Sequence, residues 1–526
     1  MCKTSSPLAG PLRRYRLFVL VAVLGLAAAV SAGETAVDVL PDSSADNPIN
    51  APAEAGAATQ PASAPFVTNP TLDPADSATE AYLARNPGAV SYCALRISDG
   101  ATLAAGRAER PVLPASVQKL CTTAVALEML GSDFQFITTA GLVGEDLVII
   151  GDGDPTLGDP VVAKASGGTI YDTLDSWAAA LKARGVTQLR DLVLDNTFFT
   201  EGRPPDWPAN QRGRWYCAPV SQLSFNDNCL DVLVHVDGGR PIAQVEPSSR
   251  LIQVDNRLVV GARHLWHVAV SDDVSTIRLT GTVHLSARQT SDPISVAVDN
   301  PTLLLGRVLA DRLARAGIAI TGQISVRPVL APDRSMPAGL VVIAQHKTPL
   351  AVALGRMNKN SLNLAAECVF LRAAADPAAA EAFASAAAKA QQVLVEKYGL
   401  PADQFTVSDG CGLSRRNRLS PMAVSLLLRR LAQGEHAKVF VPTLAIIGVD
   451  GSLSRRLIAC SGRFIGKTGT MAGVSTLAGY ILDTQGRPAV AAAIFCNDPP
   501  GGTGRARQVQ DALIARWVVQ FGQGGT

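Results

Sequence analysis

Three short groups of side chains in this sequence have the types and spacing for nucleophilic catalysis. Ser116 and Lys119 stand in Pro114-Ala115-Ser116-Val117-Gln118-Lys119. Residues i and i+3 share a helix face, which brings an amine within hydrogen-bond reach of a hydroxyl. A serine is a poor nucleophile until a base takes its proton, and a desolvated lysine near another cation is neutral enough to be that base. A helix start adds backbone N–H groups and partial positive charge beside the serine. Ser361-Leu362-Asn363 sets a hydroxyl that can relay protons next to a carboxamide that can orient a peptide bond. Lys467-Thr468-Gly469-Thr470 supplies a cation and a hydroxyl for an anionic substrate group and a glycine that lets substrate backbone approach. The Thr470 N–H would join that of Ser116 as an oxyanion hole, and Lys467 would keep Lys119 unprotonated by like-charge repulsion. Taken singly, each group has an ordinary reading: a serine N-cap with a surface lysine, a second N-cap, and a surface strand ending in a turn. Ser-x-x-Lys occurs once in the chain, and the other Ser-x-Asn, Ser224-Phe225-Asn226, falls in a β-rich region where a structural role is expected.

The elements that must carry these groups read as follows. Ala89 to Ile97 predicts a strand, Asp99-Gly100 a turn, and Ala101 to Ala105 a second strand. From Ser116, the residues Leu120, Thr123, Ala124, Leu127 and Leu130 recur at helical spacing until Gly131. Residues 140–335 then hold short β-branched runs (Leu147 to Ile150, Leu192 to Leu194, Leu230 to Val236, Leu258 to Gly261, Thr276 to Thr282, Ile294 to Val298) with few helices, such as Thr302 to Ala316. Helical patterns return in Leu364 to Ala375, Ala379 to Tyr398 and Pro421 to Leu431. Leu477 to Leu482 and Ala489 to Phe495 meet across Asp483 to Pro488 as a hairpin, which a helix from Arg507 to Phe521 would cover. The economical architecture is one α/β (α+β) domain in two pieces, 80–139 and 336–526, interrupted by a large β-rich insertion over 140–335. No internal repeat is visible.

Composition narrows the function classes. The chain has 526 residues with 47 Lys and Arg against 45 Asp and Glu, a net charge of +2. At roughly 150 residues per domain this is a chain of several domains with ample core. The near-neutral balance argues against nucleic-acid binding, which needs a basic excess or stripe. Six His and nine Cys lack metal-site spacing, so no metal or cofactor is expected. Arg13, Arg14 and Arg16 precede an apolar run from Leu17 to Val30, and Val30-Ser31-Ala32 offers small residues for cleavage, so residues 1–32 read as a secretory signal. An uncleaved anchor is the alternative. Residues 33–79, rich in Pro and Ala and lacking Lys, Arg and His from 34 on, read as a disordered tether. The mature chain would keep eight cysteines in an oxidising compartment. Cys217 and Cys229 are the candidate disulfide, whereas Cys93 and Cys496 lie in apolar runs and read as buried thiols.

Ser-x-x-Lys, Ser-Asp-Asn and Lys-Thr-Gly in this order form the signature of class A β-lactamases and penicillin-binding proteins, and here Ser361-Leu362-Asn363 is the middle member. Ser116 and Ser361 are 245 positions apart, an interval far longer than in class A β-lactamases. From 80 to 522 the sequence resembles the low-molecular-mass class C penicillin-binding proteins, the D-alanyl-D-alanine carboxypeptidase/endopeptidases of peptidoglycan, which fill that interval with an inserted pair of domains. Family-like segments include Gly151-Asp152-Gly153-Asp154-Pro155, Ser224 to Asn228, Ser408-Asp409-Gly410-Cys411-Gly412-Leu413-Ser414-Arg415, Gly448 to Gly451 and Gly466 to Thr470. Cys411 stands where this family usually has Ser, and Gly466 where it often has Ala. The resemblance implies a transpeptidase-like fold with an antiparallel sheet flanked by helices. It implies that Ser116 forms the acyl-enzyme, Lys119 is the base, Ser361 shuttles the proton, Asn363 holds the stem peptide, and Lys467 with Thr468 binds the terminal carboxylate. Gly469 and Thr470 would line the substrate, as would Arg415 unless it is simply solvated. Asp152 and Asp154 read as turn residues, and Trp207, Trp215 and Tyr216 as packing or a substrate-facing lip. The implied partners are peptidoglycan stem peptides and β-lactams as covalent inhibitors, in the periplasm or at the cell wall. A homodimer is neither required nor excluded. The rival readings are a β-lactamase, for which no deacylating-Glu loop is recognisable, and a catalytically idle peptidoglycan-binding scaffold.

Overall fold

Every residue of the strand Val474–Leu482 is buried, and neighbours along it enter different cores. Leu477 and Ile481 pack on one side, Ala478, Tyr480 and Leu482 on the other. In Pro488–Asn497 the division repeats, with Val490, Ala492, Ile494 and Cys496 opposite Ala491, Ala493 and Phe495. Side chains alternate across a strand, so one covered on both faces needs apolar residues throughout. These two strands lie in a six-stranded antiparallel sheet in the order Ala445–Ile446, Phe464–Met471, Val474–Leu482, Pro488–Asn497, Val90–Arg96, Thr102–Gly106. The helices Gly502–Phe521 and Ser77–Arg85 cover one face. Gln118–Leu130, Asn363–Ala374, Ala382–Glu396 and Pro421–Gln433 build the core on the other. The result is a three-layer arrangement, an antiparallel sheet flanked by helices, as the resemblance implied.

This computed structural model describes residues 34–39 and 77–522, apart from 198–200, 288–292, 332, 377–378 and 380. The expected secretion signal and most of the expected tether lie outside the described residues. One part of the tether departs from expectation: Glu34–Val39 is a strand, antiparallel to Leu265–Ser271. Its sequence, Glu-Thr-Ala-Val-Asp-Val, has the β-branched alternation that suits a sheet edge. Among the described residues no helix is long and apolar enough to cross a membrane.

The chain enters and leaves the insertion through paired strands. Gln135–Val143 runs antiparallel to Val341–Pro349, with Gln135 opposite Pro349, so the junction lies outside the expected limits of 140 and 335. Residue type does not track their two faces, since Thr138 and Thr139 are buried while Ile137, Val341 and Val342 are exposed. They join Asp146–Ile150, Leu192–Asp195 and Ile324–Val326 in a five-stranded sheet, against which the helices Asp172–Ala183 and Pro301–Arg315 share a core. The strands Cys229–Asp237, Arg240–Glu246 and Ile294–Ala297, with Gln253–Gly261, Leu265–Ser271 and Thr276–His284, form two further sheets over that same core.

The eight described cysteines are free and buried, and the expected Cys217–Cys229 bridge is not formed. Cys217 closes a turn inside the catalytic core beside Trp207, while Cys229 starts a strand packed on Ala218 and Ala297. Burial pushes the Cys217 thiol up to about 12.

Candidate active site

Ser116 lies in a 3₁₀ turn, Ala115–Val117, that runs directly into the helix Gln118–Leu130. The turn begins on Ala115 in the left-handed region, φ 44°, a conformation costly for a residue with a Cβ. Neighbouring segments hold it there. Thr476 Oγ1 donates to the Pro114 carbonyl at 2.7 Å, and two glycines let other backbone close in. A Cβ on Gly412 would stand 1.9 Å from the Ala115 carbonyl oxygen, and one on Gly469 would stand 2.8 Å from the Ser116 nitrogen. Glycine at both positions follows from this contact.

Lys119 is completely buried and its Nζ meets three acceptors: Ser116 Oγ at 3.0 Å, Asn363 Oδ1 at 2.6 Å and the Cys411 carbonyl at 2.9 Å. Desolvation holds its pKa below the ordinary value, opposed by Cys411, Asp409 and Glu367. Asn363, at the start of Asn363–Ala374, donates through Nδ2 to the Tyr216 carbonyl at 2.8 Å. Ser361 precedes that helix with φ 62°. Lys467 Nζ donates to Ser361 Oγ at 2.8 Å and to the Thr468 carbonyl at 2.7 Å. It too is fully buried, with its pKa pushed well down by burial and then by the charge on Lys119.

Lys467 therefore lies beneath Ser361, whereas the sequence reading placed it as a cation facing the substrate carboxylate. Thr468 faces the cleft, its Oγ1 donating to Ser452 Oγ at 2.7 Å. The cleft itself, about 970 Å³, is lined by Ser116, Ser361, Asn363, Thr468, Gly469 and Thr470 together with Arg415, Trp215 and Tyr216. Arg415 is exposed and donates to the Ala472 carbonyl at 3.2 Å. The aromatic trio divides: Trp215 and Tyr216 form the lip, but Trp207 is buried and donates Nε1–H to Asp409 Oδ2 at 2.9 Å. Ser224-Phe225-Asn226 leads into a turn in which Asn226, Asp227 and Asn228 all have positive φ. Asp152 pairs with Arg372 at 2.8 Å, and Asp154 accepts from Thr156 and Thr348.

Two buried acids beneath the nucleophile escaped the sequence reading. Asp409 accepts from the N–H groups of Gly412 and Ser414 at 2.7 and 2.6 Å and from Asn417 Nδ2 at 2.7 Å, besides Trp207. Glu367 accepts from the N–H groups of Cys411 at 2.7 Å and Gly410 at 3.1 Å. Together they shape the loop that presents the Cys411 carbonyl to Lys119. Burial, reinforced by Asp409, pushes the Glu367 carboxyl up to about 8. Its position was hinted at: Glu367 is the one acid in an otherwise largely apolar helix, one turn beyond Asn363. The donor atoms of Glu367, Asp409 and Cys411 lie within 4.8 Å of one another, but the carboxylates are already engaged by N–H donors, which suits an anchored loop better than a metal site.

Known proteins carry the same arrangement of chain. The sequence is 30% identical over 437 residues to a D-alanyl-D-alanine carboxypeptidase of Actinomadura sp. (strain R39), covering 77% of this chain and 76% of that protein. It is 27% identical over 435 residues to the D-alanyl-D-alanine carboxypeptidase DacB of Haemophilus influenzae, covering 78% of this chain and 85% of the relative. The crystal structure of penicillin binding protein 4 from Haemophilus influenzae superimposes with a TM-score of 0.68 at 26% identity, over 84% of this chain and 98% of that one. The same protein has been solved in complex with a β-lactam. A sequence profile of the D-Ala-D-Ala carboxypeptidase 3 (S13) family matches residues 78–518, and the chain belongs to that family.

Proposed function

We propose that the chain is a serine-type D-Ala-D-Ala carboxypeptidase and endopeptidase that cleaves peptidoglycan stem peptides and cross-links through an acyl-enzyme on Ser116. The observation that carries this reading is the set of three acceptors around Lys119 Nζ. A neutral amine has two N–H bonds. With Asn363 Oδ1 and the Cys411 carbonyl taking both, its lone pair faces the Ser116 hydroxyl and can receive the proton.

Ser116 Oγ then attacks the carbonyl of the penultimate D-Ala, with the N–H groups of Ser116 and Thr470 facing the developing oxyanion. The C–N bond breaks and the departing amine takes a proton from the Ser361 hydroxyl. That hydroxyl is restored by the proton that Lys119 took from Ser116, so Lys119 is neutral again, while Lys467 holds the Ser361 oxygen in place. Water then enters, gives a proton to the neutral Lys119 as its oxygen attacks the ester carbonyl, and Lys119 passes that proton to Ser116 Oγ as the ester C–O bond breaks, returning Ser116. The hydroxyls of Thr468 and Thr470 hold the terminal carboxylate, and Asn363 orients the stem peptide. A β-lactam presents its ring amide to the same serine and leaves a covalent adduct. The arginine-flanked apolar run at the N-terminus supports export, hence action in the periplasm or at the wall.

Incubation of purified muropeptides with the protein, read by mass spectrometry, tests this. Loss of one terminal alanine or splitting of cross-linked dimers is expected, and Ser116→Ala should give neither product nor label with fluorescent penicillin. Undiminished labelling of Ser116→Ala would remove the assigned nucleophile.

A further inference from the structure

One strand of the inserted region lacks the protection that an open sheet edge needs. Leu265–Ser271 reads Leu-Trp-His-Val-Ala-Val-Ser, with no Lys, Arg, acid or Pro and no bulge against either neighbour. A strand left at an edge offers a row of open N–H and C=O groups, which natural edges guard with charges, prolines or bulges. The opposite edge of the same four-stranded sheet, Gln253–Gly261, carries such guards in Asp255 and Arg257. Leu265–Ser271 is covered instead: it pairs with Thr276–His284 on one side and with Glu34–Val39 on the other.

The register of that second pairing matches the pattern of the docked segment. Thr35, Val37 and Val39 stand opposite Val270, Val268 and Trp266, all three buried in the core of the insertion. Glu34, Ala36 and Asp38 stand opposite Ser271, Ala269 and His267, which are half-buried. Directly opposed residues share a sheet face, so the β-branched set takes positions on the core face and both acids take positions on the outer one. A slip of one residue would exchange the two sets and bring Glu34 and Asp38 to the core face. The edge and the segment therefore agree on one register.

We propose that the outer edge of Leu265–Ser271 is a peptide-binding site that works by strand addition. Its ligand is an extended segment with β-branched residues at alternate positions, and residues 34–39 of the same chain occupy it. The segment between Val39 and Ser77 then starts and ends on folded elements, so it does not set the distance between the body and the leader. Ala32, after which cleavage is expected, lies two positions before the docked strand.

Hydrogen exchange on the full chain tests the pairing, with wild type set against Ala36→Pro/Val37→Pro. Adjacent residues of a strand turn their N–H groups to opposite edges, so one of the two prolines must remove a ladder donor. In the variant, the amides of Leu265–Ser271 that face the segment should exchange at least about tenfold faster. Those of Thr276–His284, paired on both sides, should keep their protection, which shows that the sheet is intact. A fluorescent peptide of residues 33–40 should bind the variant at least about tenfold more tightly than the wild type, whose own segment competes at an effective concentration on the order of 1 mM. The same peptide carrying both prolines should bind neither chain. Unchanged exchange at Leu265–Ser271, or equal peptide binding by the two chains, would overturn the site. A wild type that sediments as a dimer beside a monomeric variant would show a second copy supplying the strand, and would overturn its assignment to the same chain.

Discussion

The carboxamide of Asn363 donates to the main-chain carbonyl of Tyr216 at 2.8 Å, which fixes the way round that the amide stands. Its oxygen is thereby aimed at Lys119. Tyr216 stands 147 positions before Asn363, so the orientation of this carboxamide depends on a segment remote in sequence that packs on the same core.

Asn363→Asp should slow acylation by benzylpenicillin about 10²- to 10³-fold near neutrality, within the usual range for positioned acid–base groups. The aspartate cannot donate to Tyr216, and its charge stabilises a protonated Lys119. The signature is a pH–rate profile displaced to higher pH, because more alkaline conditions are then needed to empty the base. A uniform fall with no displacement would assign Asn363 to substrate binding alone.

The wild-type profile follows from the burial of Lys119. Desolvation disfavours the ammonium, so the acylation rate should rise on loss of one proton at a pH below the ordinary lysine value and then level off. Second-order rate constants for penicillin acylation across pH 5–10 give the midpoint, and a rate still climbing at the upper limit would mean that Lys119 titrates as a solvated amine.

How much of this was legible depended on distance along the chain. Ser116 and Lys119 could be paired from the sequence because one turn of helix links them. The hairpin Val474–Leu482 and Pro488–Asn497 could be found because both faces are covered and its apolar runs are continuous. The Cys411 and Tyr216 carbonyls could not be found, since a main-chain acceptor leaves no mark in residue type. Nor could the Trp207–Asp409 bond, which joins residues 202 positions apart. The burial of Lys467 against Ser361 could not be read either, because it comes from packing on segments distant in sequence. The strands Gln135–Val143 and Val341–Pro349 were obscured because residue type does not mark their faces: Thr138 and Thr139 are buried, whereas Ile137, Val341 and Val342 are exposed.

Gly469→Ala tests the contact between the Lys467 strand and the nucleophile turn. The added methyl would stand 2.2 Å from Thr476 Oγ1 and 2.8 Å from the Ser116 nitrogen. Overpacking of this kind costs about 1–3 kcal/mol, and the backbone that must move carries the nucleophile. Acylation should fall by about tenfold or more for a loss of that size, with only a modest drop in melting temperature. Unchanged acylation would show that the turn can retreat without consequence.

Glu367→Gln reports on the buried acid. The folded protein raises this carboxyl from an ordinary 4.5 to about 8. An acid whose value rises on folding is held protonated by the folded state. Its contribution is complete below 4.5 and is lost as pH climbs through 8. The melting temperature of the wild type should therefore decline between those limits. The variant, neutral at every pH, should lack that component of the slope while still holding the Cys411 loop through its remaining acceptor. Identical slopes in the two proteins would place the ionised form in the native state.

Arg356 joins the insertion to the helix that ends just before Ser361. Its Nε meets Asp159 Oδ2 at 2.5 Å and its Nη2 meets Asp227 Oδ2 at 2.9 Å, with 8% of the side chain exposed. Asp159 Oδ1 is meanwhile used by the Val161 and Val162 N–H groups. Removing one member of a buried ionic set strands the others without compensation, at a cost of about 3–5 kcal/mol. Arg356→Met should therefore lower the melting temperature by several degrees and loosen Ser361, slowing release of D-Ala. Neutralising both acids as well, in Arg356→Met/Asp159→Asn/Asp227→Asn, removes the stranded charge. The carboxamide introduced by Asp159→Asn keeps an oxygen that can cap the helix by accepting from Val161 and Val162. The triple variant should recover most of the lost stability. If it is no more stable than Arg356→Met, the loss arises from the packing of the Arg356 side chain, and the charges across the junction contribute little.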